Sequence, residues 1–138
     1  MNKYFKIILD HDKVNEIFGD LTPFNLKKEI KQLSNEEKKF IIKYTADELC
    51  LPEKPPSRCI LTRNNNLYII KIRCPKLTNN KGKSYGYRII ILVDEIRCIG
   101  IILSILDKSK SSDISQYEKN KLKILINACF SKENDNYG

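Results

Sequence analysis

Three apolar runs constrain this chain more than anything else in it: LYIIKIR (67–73), YGYRIIILV (85–93) and IRCIGIILSIL (96–106). They are rich in isoleucine and break the strict polar–apolar alternation of a half-exposed strand. Runs of this kind are strands buried on both faces, or nearly so, in the centre of a sheet. Before them, RCILT (58–62) and the turn Arg63–Asn66 set up a hairpin into LYIIKIR, because asparagine tolerates the backbone that a tight turn needs. Asp94-Glu95 is a turn, CPKLTNNKGKS (74–84) is a loop, and DKSKSSD (107–113) is a second polar loop.

The flanking segments have helical signals. KYFKIIL (3–9) reads as a short first strand, and Asp12 to Phe18 as a turn or two of helix. Thr22-Pro23 predicts a helix start with proline in first position, running through FNLKKEIKQL. Ser34 to Glu37 has the capping-box spacing, so a further helix starts there, with Phe40, Ile41, Tyr44 and Leu49 on one face. Pro52, Pro55 and Pro56 end it. Ser115 to Glu118 repeats the box before a closing helix whose stripe is Leu122, Leu125, Ile126, Cys129 and Phe130; the tail at 132–138 is expected to fray. The expectation is one α+β domain over 1–138: an antiparallel sheet of four to five strands, with N-terminal helices packed on it and a C-terminal helix.

Charge is unevenly placed. The chain has 25 Lys and Arg against 17 Asp and Glu. From Lys54 to Val93 there are nine basic residues and no acidic one, which leaves the remainder close to neutral. A single-sign block of that length points to a polyanion partner. No apolar run is long enough to span a bilayer, and the N-terminus lacks a signal-peptide core, so a cytoplasmic protein without membrane contact is expected. The five cysteines form no C-x-x-C pair, and the one histidine, His11, is distant from all of them. They read as small buried thiols kept reduced, not as zinc ligands, and no cofactor is expected.

Alternation in the strands sharpens the basic block. Lys71 and Arg73 share a face of their strand with Ile69, and Arg88 is the polar member of the row Arg88, Ile90, Leu92. The loop between carries Lys76, Lys81 and Lys83, with Gly82 and Gly86 permitting close backbone approach. If the two strands pair, Lys71, Arg73, Lys83 and Arg88 converge at one end of the sheet as a phosphate site. Tyr85 and Tyr87 are placed to stack on a base or transfer a proton, or to pack across strands. P-loop, GxGxxG and HExxH motifs are absent. RNA brings its own 2′-hydroxyl nucleophile; its cleavage needs a base near that hydroxyl, an acid near the leaving 5′-oxygen and cations around the phosphorane, and a Lys/Arg cluster supplies the last of these.

These residues resemble the RelE/HigB-type toxins of bacterial type II toxin–antitoxin modules, on the HigB-like side. The likeness covers residues 67 to 116 and rests on the Lys71-Ile72-Arg73 strand, the run from Lys81 to Arg88, the Asp94-Glu95 turn, and Asp107–Ser109 followed by Ser112–Ile114. It implies a RelE-like fold and metal-independent, ribosome-dependent cleavage of mRNA. Lys71, Arg73, Lys83, Arg88 and Lys108 would be catalytic, and Lys76, Lys81, Tyr85 and Tyr87 would bind RNA. Expected partners are a cognate antitoxin, the ribosome and mRNA. The chain departs from the family at Leu106, Ser109 and Ser115, where relatives carry tyrosine or arginine, so the resemblance assigns no general acid. The alternatives are a ParE-like inhibitor of gyrase and a relative that binds RNA or the ribosome without cutting.

Overall fold

A computed structural model describes residues 4–50, 58–77, 86–109 and 113–137. The elements are β1 (Lys6–Ile8), α1 (His11–Phe18), a 3₁₀ turn (Gly19–Leu21), α2 (Leu26–Lys31), α3 (Asn35–Leu49), β2 (Arg58–Asn64), β3 (Leu67–Cys74), β4 (Tyr87–Asp94), β5 (Ile99–Asp107) and α4 (Gln116–Tyr137). The fold is α+β, and its five-stranded sheet runs β1-β5-β4-β3-β2. β2 to β5 form the expected antiparallel meander. β1 is the exception: it pairs parallel with β5, which makes the sheet mixed. Three helices separate β1 from β2, and so long a connection lets β1 join the edge far from β2.

β4 is the middle strand, between β5 and β3, and seven of its eight residues are buried. That requires cover on both faces. Tyr87 faces α3, to which its hydroxyl bonds. On the same face, a Cβ placed on Gly100 would meet Leu49 of α3 and Ile91. The Arg88 face takes the rest: Ser104, opposite Ile90, bonds to α2, and Lys71 pairs with Asp113 just ahead of α4. α1 and the turn after it line a cavity beside Leu92 on this face too. The N-terminal helices therefore divide between the two faces of the sheet. Ile69, Ile72, Ile89, Ile90, Ile91 and Ile102 are wholly buried, each burial stabilising by about 1.5–3 kcal/mol.

Both capping boxes form. Ser34 Oγ accepts from the Glu37 N–H while Glu37 accepts from the Ser34 N–H, and Ser115 and Glu118 do the same at α4. The Thr22-Pro23 signal starts no helix. Thr22 Oγ1 accepts from the Phe24 N–H, and Asn25 then caps α2 by accepting from the Lys28 N–H. β5 begins at Ile99, not Ile96, because Asp94 Oδ1 takes the N–H groups of Ile96 and Arg97 and holds them in a turn. The tail continues α4 as far as Tyr137. Of the cysteines only Cys74 is fully buried, and Cys59 is exposed. Gly86 answers a steric need: a Cβ there would overlap the Cys74 carbonyl oxygen. Among the described residues no helix is long and apolar enough to cross a membrane.

Candidate functional site

The register of the central strands brings the basic residues together. Arg73 lies directly opposite Arg88, and Lys71 opposite Ile90, on one face of the β3–β4 pair. Arg88 in turn faces Leu106 of β5, and alternation puts Lys108 on the same face, two residues on. Arg88 is 4% exposed, whereas Arg73 is exposed. Facing like charges in adjacent strands destabilise the pairing. The guanidinium of Arg88 registers this: burial first, then the charge of Arg73, lower its pKa, with Asp113 opposing both.

Asp113 is the acidic member of the group. Its Oδ2 accepts from Lys71 Nζ at 3.0 Å, and its Oδ1 accepts from the Ile114 N–H at 2.7 Å. Burial pushes its carboxyl up, but the Ile114 bond, the bond and charge of Lys71, and the charge of Lys108 outweigh that and hold it below the usual range. Among the described residues, no carboxylate pairs with Arg73 or Lys108 within ion-pair distance.

Lys76 and Tyr87 belong to the other face. Tyr87 is 5% exposed and donates its hydroxyl to Glu37 Oε2 at 2.6 Å. Lys76 lies over the Tyr87 ring and pairs with Asp107 at 2.9 Å. It also donates to Ser109 Oγ, which itself donates to Asp107 at 2.7 Å. Burial, followed by the bond and charge of Glu37, raises the Tyr87 pKa, and the same bond leads the effects that lower Glu37. This Tyr87 ring is covered, so it presents no stacking surface to a base. Lys81, Lys83 and Tyr85 lie outside the described residues.

Of the expected site, then, Lys71, Arg73, Arg88 and Lys108 converge, and Lys76 and Tyr87 do not join them. Asp113, Asp107 and Glu37 were not anticipated as partners. Lys71 and Asp113 are 42 residues apart, and no local pattern announces such a pair. The single signal was indirect: a basic block with no internal acid must find its counter-ions elsewhere in the chain.

Glu29 of α2 lies farther along the Arg88 face. Its Oε1 accepts from the Ser104 hydroxyl and the Ile105 N–H, both at 3.0 Å, where β1 no longer covers the edge of β5. Burial pushes its carboxyl up to about 7; the bonds from Ile105 and Ser104 pull the other way, and the charge of Glu118 adds to the rise. His11, the first residue of α1, lines a separate cavity with Asp20, Lys27 and Lys121, none of them in the cationic group. Among the described residues no three His, Cys, Asp or Glu side chains gather as metal ligands. No protein-family model, curated protein or solved structure matches the chain.

Proposed function

We propose that the Arg88 face holds an RNA phosphodiester, and that the domain is an endoribonuclease toxin of a type II toxin–antitoxin module. In this reading it cuts mRNA on the ribosome, in the cytoplasm, and a cognate antitoxin restrains it. The observation that carries the reading is Arg73 set opposite Arg88 with Lys71 alongside. Two facing guanidiniums cost the sheet stability, and an anion between them converts that repulsion into binding.

The chemistry follows from the cluster. The 2′-hydroxyl of the RNA gives its proton to water and attacks the adjacent phosphorus; the new O–P bond closes a 2′,3′-cyclic phosphate, and the bond to the 5′-oxygen breaks as that oxygen takes a proton from water. Arg73 and Arg88 suit the non-bridging oxygens, and Lys71 and Lys108 add charge as the phosphorane develops. A second reading, RNA or ribosome binding without cleavage, is favoured by Tyr87. Its hydroxyl is bonded to Glu37 on the opposite face, so it is no proton donor to a leaving 5′-oxygen held by Arg88.

The test is a reconstituted translation reaction in which mRNA ends are mapped by primer extension, with the native chain and Arg73→Ala side by side. Arg73 is exposed, so its truncation leaves the core intact. Cuts at A-site codons that need ribosomes and fall by about 10²–10³ in the variant are expected, the usual loss for one preorganised donor. Intact mRNA with the RNA still bound would leave the second reading in place and end the nuclease one.

A further inference from the structure

The cationic face contains an acid that its proposed chemistry does not call for. Asp113 stands between the end of β5 and the Ser115 cap, outside any helix or strand. It bonds Lys71 and feels the charge of Lys108 and Arg88, so one carboxylate lies among three of the four cations. A carboxylate offers two charged oxygens to surrounding donors, much as the non-bridging oxygens of a phosphate do.

The pairing is easily exchanged. The side chains of Lys71 and Asp113 are 16% and 35% exposed, so water still reaches the carboxylate, and the cost of desolvating both ions offsets part of their attraction. The other bond of Asp113 runs to the N–H of its own neighbour, Ile114, and ties it to no distant element. A phosphodiester bound by Arg73, Arg88 and Lys108 has more donors available than Asp113 has. Competition for Lys71 then favours the phosphate.

We propose that Asp113 occupies the seat of the RNA phosphate in the RNA-free protein, as an internal counter-ion which the phosphate displaces. This rests on the RNA-binding reading above. Removal of the acid should tighten RNA binding, the opposite of what a contact residue or a structural residue would do.

The whole 138-residue chain is tested with two probes. A 2′-O-methyl single-stranded RNA oligonucleotide, which resists 2′-hydroxyl attack, is followed by fluorescence anisotropy. Inorganic phosphate is followed by the thermal shift it produces. Asp113→Asn keeps an oxygen for the Ile114 N–H, and Asp113→Ser serves if the amide variant does not fold. The expected result is about tenfold tighter RNA binding, with a log–log salt slope steeper by about 0.7, the increment for one more neutralised phosphate. The phosphate concentration giving half-maximal shift falls in parallel. Glu36→Gln, which removes the same charge from the exposed start of α3, changes neither by more than about twofold.

Unchanged or weaker RNA binding by the Asp113 variants overturns the proposal, as does an equal gain from Glu36→Gln. If neither native chain nor variant binds the oligonucleotide, the RNA reading has failed and the phosphate titration decides. Tighter phosphate binding by the variant alone then sustains the counter-ion role, and equal binding rejects it.

Discussion

Tyr87 and Arg88 are adjacent in sequence and face opposite sides of the sheet, and the two sides treat charge differently. On the Tyr87 side, among the described residues, Lys76 pairs with Asp107 and its charge also reaches Glu37, while Glu37 accepts from the Tyr87 hydroxyl and Asp107 from Ser109. On the Arg88 side two arginines face each other, two lysines stand near, and among the described residues the half-buried Asp113 answers Lys71, Lys108 and Arg88 but not Arg73. The first arrangement stabilises the fold; the second lowers its stability, and binding of an anion would recover the loss. Local conflict of this kind, set beside a satisfied network, is where function is expected.

The largest effect should separate the two sides outright. Arg88→Met removes a buried guanidinium and its repulsion with Arg73, so the melting temperature is expected to hold or rise. Cleavage of mRNA should fall by about 10²–10³ in the same variant. A variant that melts far lower would show Arg88 to be structural and erase the contrast.

Glu29 sharpens the comparison within the Arg88 side. Its folded pKa of about 7 lies above the ordinary 4.5, so the folded state binds the proton more tightly than the unfolded chain does. That contribution is complete below pH 4.5 and is lost as pH rises towards and through 7. Glu29→Gln cannot titrate, and should match the native chain near pH 4 while exceeding it at pH 8 by about 3 kcal/mol. Denaturant unfolding at the two pH values reads this directly, and parallel pH profiles would refute it.

The smallest effect is on the satisfied side. Tyr87→Phe breaks one bond to a carboxylate and should cost about 1.5 kcal/mol in denaturant unfolding, with RNA affinity unchanged. Loss of RNA affinity would mean that the two sides are coupled.

The meander and both capping boxes were legible because they are local: a turn residue, an apolar run or a Ser–Glu spacing acts over a few positions. Thr22-Pro23 misled for the same reason. It satisfies the rule for a helix start, yet Thr22 and Asn25 each accept a nearby backbone N–H and move the start to Leu26. The convergence of Lys71, Arg73 and Arg88 was also readable, since alternation along two paired strands settles which side chains share a face. Lys76 and Tyr87 were grouped with them on proximity in sequence, and the period of two sent Tyr87 to the other side.

By itself, then, the sequence determined that isoleucine-rich strands form a buried sheet, and that Lys71, Arg73 and Arg88, from a stretch free of acidic residues, share one face of it. Only the tertiary structure decided how that charge is answered. Asp113, Asp107 and Glu37 come from distant segments, and their side chains meet the basic block only when β5, α3 and the approach to α4 close over the sheet. Burial then gives Arg88 and Glu29 environments that no count of charges contains, because desolvation depends on what covers a group and not on what precedes it in the chain.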